Sequence, residues 1–255
     1  MAVENRREFY SGQGRVYFAR KNELGRPDDN GLIYVGVCNE LITEAKVDVK
    51  KKQESETGKN AVIARFETAQ EVAIQAKLCE IREENLNLFL YGTSQRLATA
   101  TVTEEAIKAK LGREVPLSRM VENFTSLTSD DGTTTYAEGT DYIVRPTGLI
   151  VFPSNGSAIA DGEALKANFK AKPERITTAF TEDNFYSYWR VDGLNRGSDN
   201  KPVVMEMYKA RFDPTKLDII NDDFADYDLS GDLHYDDCFA DDSLYGGFMR
   251  IRVVE

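Results

Sequence analysis

Two long stretches with a strict period of two constrain this chain more than any other feature. From Leu41 to Val49 the odd positions are Leu41, Thr43, Ala45, Val47 and Val49, and the even row is Ile42, Glu44, Lys46, Asp48 and Lys50. An apolar row opposite a charged row is the pattern of a half-buried antiparallel strand. The pattern returns at Ala61–Phe66 and again from Glu71. There Val72, Ile74, Ala76 and Leu78 share one face, and Glu71, Ala73, Gln75 and Lys77 share the other. Between the stretches, Lys50, Lys51, Lys52, Gln53, Glu54, Ser55, Glu56, Thr57, Gly58 and Lys59 include no apolar residue. Such a run cannot bury itself, so it predicts a loop that is solvated or docked on a partner. A short helix is expected next. Glu83, Glu84 and Asn85 suit its N-terminal turn. Leu86, Phe89 and Leu90 form its apolar stripe, and Gly92 suits a left-handed cap. One short helix with a single stripe covers a sheet, so the expected class is all-β.

The texture changes near Ala98. Asp131-Gly132 and the segment Gly139-Thr140-Asp141-Tyr142 mark tight turns between short strands. Long-stranded text resumes at Phe185, where Phe185, Ser187, Trp189 and Val191 alternate with Tyr186, Tyr188 and Arg190. The expected organisation is therefore a domain split into 1–100 and 174–255, with a small β module at 101–173 inserted between its halves.

Function classes narrow by chemistry. With 32 basic and 43 acidic residues the net charge is −11. A groove that grips phosphates needs clustered Lys and Arg, so this balance argues against specific nucleic-acid binding. It leaves room for a channel through which nucleic acid passes without sticking. Cys38, Cys79 and Cys238 are too few and too scattered for a disulfide framework or a cysteine-rich metal site. Asp226 to Asp237 spaces oxygen donors much like an EF-hand calcium loop, with Gly231 at the sixth position. Yet Asp237 stands where a longer Glu is usual, and no paired loop follows, so a β-hairpin with acidic edges is the expected form. His234 is the only histidine, and no Gly-x-Ser-x-Gly elbow accompanies it. No enzymatic activity, metal or cofactor is expected. The start has no apolar signal-peptide core, and no run reaches membrane-spanning length. Synthesis and folding in a cytoplasm are expected.

The order of elements resembles the major tail tube proteins of long-tailed, siphovirus-like bacteriophages. The matching features are the Gly12–Phe18 opening strand, Tyr34-Val35-Gly36, the long strand and the polar loop with Thr57-Gly58. The Glu84–Leu86 helix ending at Tyr91-Gly92 and a second block from Val191 to Pro214 complete the match. The resemblance implies a β-sandwich or half-barrel of two sheets with one flanking helix. It implies six copies closing into a ring and rings stacking into a conduit for DNA ejection. The loop Lys50–Lys59 and the arms at 1–13 and after Ser243 would tie rings together, and the inserted module would decorate the outside. Partners would be further copies, a tape-measure protein, a tail terminator and double-stranded DNA in transit. The location would be the virion. Glu44, Asp48, Glu71 and Gln75 are the candidate lumen residues, on an acidic bore. The alternative is a carbohydrate-binding or adhesin-like β-sandwich presenting Trp189 or Tyr188 to a glycan.

Overall fold

Alternating text becomes strand along most of this chain, and the fold is all-β. The structure, a computed structural model, describes residues 10–22, 27, 30–56, 59–183, 185–240 and 243–254. Thr57, Gly58 and residues 1–9 of the expected N-terminal arm lie outside the described residues.

The chain divides into two units, Met1–Thr93 with Thr177–Glu255, and Ser94–Ile176. The first unit begins with β1 (Gly12–Arg20), β2 (Ile33–Tyr34), β3 (Cys38–Gln53), β4 (Val62–Leu78) and helix α1 (Glu83–Leu90). The chain then passes through β5 (Thr93–Leu97), β6 (Ala100–Lys108), β7 (Glu114–Pro116), β8 (Val121–Ser129) and β9 (Thr135–Tyr136). It continues with β10 (Ile143–Arg145), β11 (Leu149–Val151), β12 (Ala164–Ala171) and β13 (Glu174–Thr178). It returns to the first unit with β14 (Ser187–Asn195), β15 (Lys201–Phe212), β16 (Tyr227–Leu233), α2 (Asp237–Ala240) and β17 (Met249–Val253).

The first unit is one antiparallel sheet in the order β2-β1-β14-β15-β16-β4-β3. β15 has a divided edge: Val203–Met207 pair with β17, and Ala210–Phe212 pair with β16. One apolar cluster runs through Val16, Phe18, Ile74, Leu78, Trp189, Phe212 and Leu229 to Leu88 and Phe89 of α1. The expected two sheets are here one continuous hydrogen-bonded sheet, and α1 packs Leu88 and Phe89 into its core. On the reverse side, Tyr208 is buried with its ring 4.4 Å from Phe239 of α2 and 6.0 Å from Tyr245. Residues after Ser243 are likewise no free arm, because Met249–Val253 lie along the sheet as β17. The first strand starts at Gly12, inside the stretch expected to be an arm.

α1 buries Asn85, Leu88 and Phe89, a different stripe from the expected Leu86, Phe89 and Leu90. Asn85 turns inward because its amide donates to Val35 O at 2.8 Å and Glu80 O at 3.0 Å, pinning the helix to the preceding loops. The left-handed cap is Tyr91, with φ 49° and ψ 48°. Gly92 serves a different need: a Cβ there would lie 1.9 Å from the Thr178 carbonyl oxygen.

The second unit has a four-stranded sheet, β6-β12-β8-β9, and a three-stranded sheet, β10-β11-β7. Leu127, Leu165 and Phe169 of the first meet Ile150 and Phe152 at the second in one core. The boundaries fall at Ser94 and Ile176 because β5 and β13 pair with each other. The Asp131-Gly132 turn joins β8 to β9, with Gly132 at φ 74°. The Asp131 carboxylate accepts from the Ser129 hydroxyl and the Thr133 amide, and these bonds hold its pKa at about 2.

Candidate assembly surface

β3 and β4 pair over nearly their whole length, from Cys38 opposite Leu78 to Gln53 opposite Val62. β16 covers the outer edge of β4 only from Val72 to Leu78. The first ten residues of β4, Val62–Glu71, have β3 as their one strand neighbour among the described residues. At ~3.3 Å per residue, this two-stranded ribbon extends roughly 30 Å past the sheet. Its faces carry no cover among the described residues. Every residue of β4 from Val62 to Glu71 is exposed, and β3 is exposed from Ile42 to Asp48. Val47 is 44% exposed, Val62 52%, Ile63 61% and Phe66 59%.

This differs from the expected half-buried strand. The odd row Thr43, Ala45 and Val47 meets solvent, and the core is supplied by Val72, Ile74, Ala76 and Leu78 of β4. The row is real, but β3 is the outermost strand of the sheet, and Thr43 and Ala45, though opposite Ile74 and Val72, stay exposed there. The expected loop is shorter as well. Lys50, Lys51, Lys52 and Gln53 belong to β3 and pair with Phe66, Arg65, Ala64 and Val62. A charged run still forms strand when both faces are wet, because such a strand needs no apolar row, only a ladder. Glu54, Ser55, Glu56 and Lys59 remain in the connection, with the Glu54 amide donating to Ala61 O at 2.8 Å.

The register settles which side chains share a face. Ile42 stands opposite Gln75, Glu44 opposite Ala73, Lys46 opposite Glu71 and Asp48 opposite Ala69. Directly opposed residues project to one side, so Glu44, Asp48, Glu71 and Gln75 lie on one face. Between Ile42 and Asp48 that face holds three carboxylates and one ammonium, Lys46, which sits 3.3 Å from Glu44, and at its inner end Glu40 stands opposite Lys77. A bulge follows Asp48, where Thr68 is the extra residue and its hydroxyl donates to Asp48 O at 3.2 Å. Past the bulge the charge reverses, with Lys50 and Lys52 on this face and Lys51 and Arg65 on the other. The outer edge of β3 is the end of the sheet and has no strand partner among the described residues. A long bare edge with exposed Ile42 and Val47 beside it is a template for pairing with another chain.

A second polar cluster holds the C-terminal strand. Glu206 of β15 is 5% exposed. Its carboxylate accepts from the Tyr188 hydroxyl at 2.8 Å and from Arg250 Nε. Arg190 and Arg252 each come within 3.3 Å of it. Burial drives the Glu206 carboxyl upward, but hydrogen bonds from Arg250 and Tyr188 and the charges of Arg250 and Arg252 outweigh it. The net pKa lies below the ordinary value. Burial, then the hydrogen bond to Glu206, pushes the Tyr188 phenol up. Arg250 also lies 3.9 Å over the Tyr245 ring. The sequence offered one signal for this cluster, Arg250-Ile251-Arg252 in the last strand, but no hint that one glutamate faces both arginines.

The remaining candidates for chemistry resolve into structure. Tyr227–Leu233 is strand β16, which sets Asp228, Ser230 and Asp232 of the calcium-like segment in a straight row along its exposed face instead of curling them around an ion. No group of three or more His, Cys, Asp or Glu suited to hold a metal occurs among the described residues. The His234 ring packs edge-on to Tyr186 at 5.2 Å. Trp189 is 0% exposed, stacks on Phe18 and donates its indole N–H to the Ser187 hydroxyl at 2.9 Å. A glycan cannot reach it, and Tyr188 is buried on the opposite face.

Residues 9–252 match a family described as protein of unknown function UCP028589. The chain belongs to that family. The match spans both units and includes the whole ribbon. No curated protein matches the chain. No helix among the described residues is long and apolar enough to cross a membrane.

Proposed function

We propose that this protein is a structural subunit that assembles with further copies of itself into a tube, the tail tube of a siphovirus-like phage. The observation that carries the reading is the ribbon formed by β3 and β4. A two-stranded ribbon exposed on both faces gains almost nothing by itself. One that also presents Val47, Val62, Ile63 and Phe66 to water has its energetic return in a partner. The bare edge of β3 supplies the geometry. Copies that add strands to that edge continue the sheet, and closure of six copies into a ring leaves no edge open. The order of elements that resembles tail tube proteins supports six as the number and stacked rings as the form.

In this arrangement the face bearing Glu44, Asp48, Glu71 and Gln75 lines the bore. Along Ile42–Asp48 its carboxylates outnumber its one ammonium, Lys46, and this acidic section lets double-stranded DNA pass without being held through counterion release. The role is a passive conduit in the virion, with no bond made or broken and no cofactor. A tape-measure protein and a tail terminator are the implied partners at the ends of the tube. Negative-stain microscopy of the purified, concentrated protein tests the reading. Hollow rings or tubes are the expected result, and dispersed single particles at every concentration would overturn it.

A further inference from the structure

The segment between β15 and β16 carries an apolar surface that the fold itself does not use. Leu217 and Ala225 pack against the core and pin its two ends, and the Thr215 amide donates to Phe89 O at 3.0 Å. Between the anchors, Ile219 is 86% exposed, Ile220 96% and Phe224 98%. Over 217–225 the chain has three aspartates, Asp218, Asp222 and Asp223, and no basic residue. Three fully presented large apolar groups on an anchored loop form a patch that water disfavours.

The end of the ribbon has the complementary character. Lys50, Lys51, Lys52 and Arg65 surround Ile63 and Phe66, and with Lys59 these cations outnumber Glu54 and Glu56. The two surfaces cannot meet within one chain. Tyr227, just past the acidic loop, stands opposite Leu78 at one end of β4, whereas Phe66 is twelve residues away toward the other end. At ~3.3 Å per residue the separation is about 40 Å.

We infer that the basic, apolar end of the ribbon in one copy docks on the acidic, apolar loop 217–225 of a second copy. The inference rests on the reading that the protein self-associates, and it names the receiving surface. Because donor and acceptor lie at opposite ends of one strand, the contact is heterologous and each docked copy presents a fresh donor or acceptor to the next. Growth therefore runs along the strand direction, in line with β4. Lysines facing aspartates around an apolar centre give the contact register and a dependence on salt.

Two variants and their mixture test it by sedimentation velocity, with thermal melts to establish that each is folded. Lys51→Asp with Lys52→Asp alters the donor, and Asp222→Lys with Asp223→Lys alters the acceptor. Each variant alone is expected to stop at a smaller unit than the parent chain. An equimolar mixture is expected to regain extended assembly, since the intact donor of one variant docks on the intact acceptor of the other and the two altered halves carry complementary exchanged charges. The chain with all four substitutions is expected to regain extended assembly through the exchanged charges. Folded variants that assemble like the parent, or a mixture that gains no mass, would overturn the contact while leaving self-association intact. A parent chain that stays monomeric throughout would overturn the self-association reading and the contact with it.

Discussion

Glu206 shows how much one buried side chain organises. It receives the Tyr188 hydroxyl and faces Arg190, Arg250 and Arg252, so it ties β14 and β17 to β15. Removing one partner of a buried ion cluster leaves the others uncompensated and costs about 3 kcal/mol. Glu206→Gln is expected to lose roughly that amount in urea unfolding at neutral pH. The dependence on pH has a definite sign. The folded pKa is depressed, so this stabilisation is complete above the ordinary carboxylate value of about 4.3 and is lost as pH falls through the lower folded value. The gap between parent and variant should therefore close as the pH is taken below about 4. A gap of constant size down to strongly acid pH would show that the carboxylate charge is not what holds β17.

The ribbon of β3 and β4 is the element on which function turns, and its outer half buries nothing in its own chain. Asp48 and Ala69 are opposed, so deleting Val49–Thr68 and joining Asp48 to Ala69 by a two-residue Asn-Gly turn preserves the remaining register. The shortened chain is expected to unfold within about 1 kcal/mol of the parent, since an isolated hairpin is marginal on its own. Its association in sedimentation should be abolished. A large drop in stability would mean that the ribbon packs on its own body. The existence of these strands was legible in the alternation at Leu41–Val49 and Val72–Leu78, because period two survives whatever lies on either face. What covers a face was not legible. The row Thr43, Ala45 and Val47 reads as core but lies on the outermost strand of the sheet, and Lys50–Gln53 reads as loop but is held by the Val62–Phe66 partner strand. Likewise the α1 stripe was misplaced because Asn85, a polar residue, turns inward to bond Val35 and Glu80. The four candidate lumen positions were readable as one face because the register contains no slip between Gln75 and Ala69.

At the scale of the whole molecule, the two units have separate cores, one around Trp189, Phe89 and Phe212 and one around Leu127, Phe152 and Phe169. The chain leaves the first unit at Thr93 and re-enters it at Thr177. The Thr93 hydroxyl lies 3.4 Å from that of Thr178, so a short linker spans the gap. Replacing residues 94–176 by a few Gly-Ser residues should leave a folded first unit that still associates, checked by circular dichroism and sedimentation. Loss of folding would show that the inserted unit supports the sheet. The ribbon is the center of the assembly, and amide hydrogen exchange reads it directly. In dilute monomer the outward amides of β3 and the 62–71 segment of β4 should exchange within seconds to minutes, as a lone ribbon allows. In concentrated, assembled protein the same peptides should be strongly protected, while the Ile74–Leu78 core stays protected in both. Equal exchange of residues 45–71 in the two states would contradict the claim that this ribbon joins one copy to the next.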